Sequence, residues 1–220
     1  MRWFVLSFLS ACGLACPAAG QVIITEIMYN PASYEGGIGP DDPPNQTEWV
    51  EVYNAGDNEV SLAGWRLQDE DGKTVGLPAS AKIAPGEAIV LIPGVQSVAD
   101  FREAWGKGFQ VFPLKGWHEG DDPLSNLANS PSETNEILTL RNKKGGVIDE
   151  VNYDDYNPWP SDSPQGPSIA LKPDKLDAKS NDDGANWVRS EAGKGGAKNA
   201  KKTEEYKDQD VGSPGKVQAE

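Results

Sequence analysis

The chain has 220 residues, 37% of them hydrophobic and 25% charged, which suits one well-buried domain with long loops. Its formal charge of −14 and pI of ≈ 4.5 argue against a phosphate-binding surface, and so against nucleic acid as a partner. Both cysteines, Cys12 and Cys16, fall near the start, so a chain trimmed there has no disulfide or thiol chemistry.

Residues 1–20 read as a secretory signal peptide: Met1-Arg2 is a short positive start, Trp3 to Leu9 an apolar run, and Ala18-Ala19-Gly20 a small-residue cleavage site. The apolar run is too short to span a bilayer, and cleavage before Gln21 leaves no other stretch of membrane length. The expectation is an exported protein, secreted or periplasmic. Leu9-Ser10-Ala11-Cys12 also has the form of a lipobox, which gives a lipid anchor at Cys12 as the alternative, although the leader before it is short.

Residues 21–220 then form the working domain. A strand is predicted over 22–28, stopped by Tyr29-Asn30-Pro31 and followed by a Gly/Pro/Asp loop over 32–46. The run 47–54 alternates, Val50 and Val52 to one side and Trp49, Glu51 and Tyr53 to the other, as a half-buried strand requires. A strand over 59–68 breaks near Gly64, Asp69-Glu70-Asp71-Gly72 makes a turn, and 74–77 is a short strand. Ile83-Ala84-Pro85-Gly86-Glu87 is a turn into 88–92, apolar enough for a core strand. The one helical segment is 98–105, capped by Ser97, with Val98, Phe101 and Trp105 at helical spacing. A short strand at 109–112 precedes a long polar loop over 113–135. Runs 136–141 and 147–153 flank Asn142-Lys143-Lys144-Gly145-Gly146 as a hairpin, and 168–172 and 187–189 are the last strands. The lysine-rich 191–211 stretch, interleaved with Gly, Ala, Asn and Glu, reads as a flexible solvated loop. Many short strands and one helix make an all-β sandwich the expected fold.

An ordered series of motifs carries a resemblance. It runs from Ile24-Thr25-Glu26-Ile27-Met28-Tyr29-Asn30-Pro31 through Glu48-Trp49-Val50-Glu51-Val52-Tyr53-Asn54 to Leu62-Ala63-Gly64-Trp65-Arg66-Leu67. It continues through Ile83-Ala84-Pro85-Gly86-Glu87, Leu124-Ser125-Asn126, Leu138-Thr139-Leu140-Arg141 and Gly146-Val147-Ile148-Asp149-Glu150-Val151. Pro158-Trp159-Pro160, Asn186-Trp187 and Gly212-Ser213-Pro214-Gly215 close it. This resembles the lamin-tail domain in its exported bacterial form, over about Val22 to Val217. The resemblance implies an immunoglobulin-like β-sandwich and a non-enzymatic interaction module with no catalytic residues.

Each candidate for chemistry competes with a plainer role. His118 is the single histidine, in a loop with no Gly-x-Ser-x-Gly elbow anywhere in the chain, so it reads as an exposed loop residue rather than the base of a triad. Asp-Asp pairs at 41–42, 121–122, 154–155 and 182–183 read as solvated turns. Asp182 and Asp183 are weak calcium candidates, because Asn181-Asp182-Asp183-Gly184 is similar to part of an acidic calcium loop but Lys179 stands where the first ligand belongs. With one histidine and no mature cysteine, zinc has too few ligands, and no cofactor is expected. Asn45-Gln46-Thr47 has the form of a glycosylation acceptor.

Loop aromatics are the better binding candidates: Trp117, Tyr156 and Trp159 offer flat rings for a sugar or peptide. Pro158-Trp159-Pro160 also suits a structural corner, and Trp49, Trp65 and Trp187 sit in strand motifs as packing residues. The function expected is a non-enzymatic module binding an unknown protein or glycan at the cell surface. One alternative is a carbohydrate-binding or calcium-assisted adhesion domain, and another, disfavoured by the lone histidine, is an unrecognised hydrolase.

Overall fold

A computed structural model describes residues 22–33, 47–118, 124, 126–127, 136–207 and 209–217. The predicted leader with Cys12, most of the predicted loops 32–46 and 113–135, and the Asn45-Gln46 part of the candidate glycosylation motif lie outside the described residues.

In chain order the elements begin with β1 (Val22–Met28), β2 (Trp49–Asn54), β3 (Val60–Ser61), β4 (Arg66–Gln68), β5 (Thr74–Gly76), β6 (Lys82–Ile83) and β7 (Ala88–Pro93). Helix α1 (Val98–Trp105) and β8 (Gln110–Leu114) follow, then the hairpin of β9 (Glu136–Arg141) and β10 (Val147–Tyr153). The remainder is β11 (Ile169–Leu171), a 3-10 turn (Gly184–Asn186), β12 (Trp187–Arg189), β13 (Lys198–Asn199) and β14 (Val211–Gly212).

Two sheets make the sandwich. One has six strands in the order β12-β11-β1-β2-β7-β8, the other four in the order β10-β9-β4-β5, and two-stranded ribbons β3-β6 and β13-β14 flank them. All pairings are antiparallel except β7 with β8, which run parallel because α1 carries the chain between them. The architecture is that of an immunoglobulin-like β-sandwich with one short helix. Side chains from both sheets fill the space between them: Ile24, Val50, Val52, Ile89 and Leu91 from the larger, Leu67, Leu138, Leu140 and Val151 from the smaller.

Helix α1 occupies the predicted residues for the predicted reason: the Ser97 hydroxyl accepts the Asp100 N–H, and Phe101, Ala104 and Trp105 line its buried face. That face packs on the outer surface of the larger sheet, against Met28, Trp49, Val90 and Ile92. Trp49 meets the Trp105 ring edge-on at 5.9 Å between centroids, and Tyr206 meets Trp105 at 5.8 Å.

This second core corrects two expectations. β2 is buried on both faces, not half-buried, apart from Tyr53, because α1 and the segment after β13 cover the face that the alternation assigns to solvent. The 191–211 stretch likewise is not simply a solvated loop. It holds β13, the buried Ala200 and the fully buried Tyr206, and it grips both ends of α1. The Lys201 N–H donates to Ala104 O at 3.0 Å, and the Thr203 hydroxyl to Asp100 at 2.6 Å.

Candidate functional site

Two acids of the larger sheet's central strands are enclosed. Glu26 in β1 faces Glu51 in β2 across the antiparallel register, and neither is more than 1% exposed. Glu26 accepts from the Ser168 hydroxyl at 2.6 Å, and from the N–H and hydroxyl of Ser213 at 2.8 and 2.6 Å. Glu51 accepts from the Thr25 hydroxyl and the Gly215 N–H, each at 2.7 Å. Every donor named is neutral. Burial therefore pushes Glu26 up to about 7 and, with repulsion from Glu26 added, Glu51 up to about 8. The 211–217 segment is thereby strapped to the sheet by two carboxylates that cannot comfortably ionise together.

Glu48, just before β2, is a separate buried acid. Its carboxylate lies 3.1 Å from His118 Nε2 and accepts the Leu127 N–H, while burial raises it well above the usual carboxylate range. This corrects the reading of His118 as an exposed loop residue. Its side chain is buried, beside the stacked Trp117 ring, on a backbone with φ of 60°.

Asp149 joins the two sheets. From a bulge in β10 it accepts the Ile24 N–H of β1 and the Asn181 side-chain amide, both at 2.7 Å, and burial pushes it up to about 7.

The proposed aromatic platform does not assemble. Trp117 is fully buried in the inter-sheet core, so it presents no ring to a ligand. Its backbone follows the Leu114 turn and bridges to Leu124, which draws the indole inward rather than leaving it on a loop tip. Trp159 is half-buried against Trp187, with centroids 5.7 Å apart. A side chain at Gly184 would lie 2.7 Å from the Trp159 ring, so this indole is a packed corner. Tyr156 alone is open, at 52% exposure.

The two calcium candidates have local duties: Asp182 accepts the Asn152 N–H, and Asp183 caps the 3-10 turn by accepting the Ala185 N–H. Among the described residues, no group of three or more His, Cys, Asp or Glu side chains is placed to hold a metal ion. No helix among them is long and apolar enough to cross a membrane.

What the surface does offer is a cleft of about 680 Å³ beside the tail strap. Tyr53 at the end of β2, the turn Gly86-Glu87-Ala88 into β7, Arg102 of α1, the connection Lys107-Gly108-Phe109 with Gln110, and Gly215-Lys216-Val217 line it. The walls hold their shape by backbone geometry. The Asn54 carbonyl accepts the Gly86 N–H at 2.9 Å, and Gly215 lies so close over Phe109 that a side chain there would overlap the ring. Lys198 stands nearby, its ammonium on the Trp105 carbonyl at the end of α1. Its pKa is lowered by partial burial and by Lys201 and Lys216. The lining takes in Tyr53, Gly86, Glu87 and Gly215 of the sequence motifs, but its cations lie outside them: Arg102 and Lys107 are close in the chain, and Lys216 joins them only because the strap converges on α1 and the connection to β8.

The family model described as Lamin Tail Domain matches residues 16–155, a span that holds β1 to β10 and stops before β11. No curated protein matches the chain closely enough to count as a relative. The ordered strand motifs, the sandwich that they build and this match agree, and the chain belongs to the lamin-tail domain family.

Proposed function

We propose that this protein is an exported, non-enzymatic interaction module, with residues 1–20 as its leader and residues 21–220 as the binding domain, acting at or outside the cell surface. One observation carries the reading. The cleft beside the strap is lined by cations, rings, an amide and glycines, with Glu87 as its one acid, and by no hydroxyl nucleophile of Ser or Thr, no thiol and no imidazole. Such a lining suits holding a partner, and it lacks the serine, cysteine or histidine of the common hydrolytic dyads and triads. The buried acids support the same reading, since Glu26, Glu48 and Glu51 spend their oxygens on internal donors. In this reading Tyr156 is at most an accessory contact, and Trp117 and Trp159 are framework.

Expression of the full chain in a bacterial host tests the export half: the recovered protein should begin at Gln21 by intact mass, and a lipidated start at Cys12 overturns soluble release. Binding of the purified labelled protein to the surface of its host cells tests the rest. The variant Lys107→Glu/Lys216→Glu should bind less, and binding equal to wild type removes the cleft as the binding face. Sustained turnover of model esters, phosphoesters or glycosides by the purified chain overturns the non-enzymatic reading. For the calcium-assisted alternative the observable is melting with and without calcium. We expect no chelator-reversible shift, because Asp182 and Asp183 already serve as turn acceptors.

A further inference from the structure

The cleft beside the strap is a place of concentrated positive charge on a molecule of net charge −14. Arg102 of α1, Lys107 just past its end and Lys216 of the strap reach it, and all three are exposed. Lys198 and Lys201 extend the same field along β13 and the residue that follows its neighbour Ala200, and Glu87 is the single acid in the lining. Exposed like charges repel each other, and among the described residues no ion pair neutralises them: the ion pairs there join Lys82 to Glu59, His118 to Glu48, Lys175 to Asp174 and Lys194 to Glu191. A set of cations around a concavity is complementary to a partner bearing several anions.

The rings decide which anion. A saccharide platform needs the open face of an aromatic ring. Phe109 does not offer one, since the Gly215 backbone covers it on one side and its edge contact with Phe101, at 6.3 Å between centroids, occupies another. What the lining does offer is carboxylate-matching donors: the planar fork of Arg102 and the ammonium groups of Lys107 and Lys216. Short carboxylate side chains spaced along an extended backbone meet that arrangement, whereas a sugar would have only the half-buried Tyr53 ring to stack on. We propose that the cleft is the docking site for an acidic polypeptide segment, a run of Asp or Glu on a partner protein. The inference rests on the reading of the cleft as the binding face and adds the chemistry of the partner.

Fluorescence anisotropy of a labelled oligoglutamate peptide, titrated with the mature protein at low ionic strength, tests it. Wild type should bind saturably and weaken as salt rises. Lys107→Glu/Lys216→Glu should lose roughly ten-fold or more in affinity, as expected when close charge complementarity is reversed. Lys143→Glu/Lys144→Glu, in the exposed β9–β10 turn of the other sheet, changes the net charge equally and should bind like wild type. Arg102→Gln gives a milder second variant, and unchanged melting of each variant guards against a folding artefact. Equal loss in both double variants overturns the site, because net charge alone then explains binding. Absence of wild-type binding overturns the ligand class, as does displacement of the peptide by polygalacturonate more readily than by unlabelled oligoglutamate. The two proposals fail separately. If cell binding is lost in Lys107→Glu/Lys216→Glu but the peptide never binds, the cleft stands and the acidic partner falls. If cell binding is unaffected, the cleft itself falls.

Discussion

At the scale of single residues, exposure separates framework from surface more sharply than residue type does. Trp117 and Tyr156 both sit between strands and both carry a large ring, yet one is at 0% exposure and the other at 52%. Trp117→Ala should therefore lower stability by about 3–5 kcal/mol, as loss of a buried indole does. Tyr156→Ala should stay within about 0.5 kcal/mol of wild type. Urea unfolding followed by far-UV circular dichroism measures both, and equal effects would contradict the packing described here. His118 teaches the same lesson. In sequence it is a lone loop histidine; in the fold it is a buried partner of Glu48 that ties the segment after β8 to the start of β2.

Elements show where the sequence is legible and where it stops being so. α1 was readable because its cap and its buried face are local: Ser97, Phe101 and Trp105 lie within one short window. The β9–β10 hairpin was readable because the Asn142–Gly146 turn signals it, and β7 because its apolar run is continuous. The second face of β2 was not readable. Its cover comes from α1 and from Tyr206, far along the chain, and alternation in a strand reports the pattern of side chains, not what packs on them. The partner of Glu51 is hidden for the same reason: Glu26 is brought alongside only by strand register. A single acid inside the apolar run Val22–Met28 was the available hint, since a charge there must be either exposed or internally satisfied. The cleft had no such hint, because only the fold brings Lys216 to Arg102 and Lys107. The strap yields its own prediction. Gly215 has φ of 83°, and a Cβ there would lie 2.1 Å from the Phe109 ring. Gly215→Ala should cost about 1–3 kcal/mol, through overpacking and backbone strain. Limited proteolysis should show faster cutting near 211–217, and unchanged melting with unchanged cutting would mean that the strap is loosely seated.

For the molecule as a whole, the buried acids set how stability responds to pH. Glu26, Glu51 and Asp149 are all raised in the folded state, up to about 7, 8 and 7 against ordinary values of 4.5, 4.5 and 3.8. The unfolded chain therefore holds fewer protons than the folded one between those limits, and stability falls as pH rises. The contribution is fully present below the ordinary carboxylate range and is lost as pH climbs through the raised values. Melting temperature should thus decline from about pH 5 to about pH 9, with general repulsion in a chain of net charge −14 acting in the same direction. Glu51→Gln separates the two causes: it removes one member of the pair and should flatten the profile, while the overall charge changes by only one unit. A profile as steep in Glu51→Gln as in wild type would place the pH dependence elsewhere.

The strap also has a consequence in time. Its bonds to Glu26 and Glu51 close chain separations of 187 and 164 residues, among the most distant contacts in the fold. Contacts of that separation form late, because the loops that they close must first lose their freedom. The glutamate pair should therefore stay hydrated through most of folding and be sealed only at the final docking step. In the reverse direction, the amides of Ser213 and Gly215 should exchange with deuterium before those in the centre of the larger sheet. Such an order would make this clasp the first part of the molecule to open and the last to close.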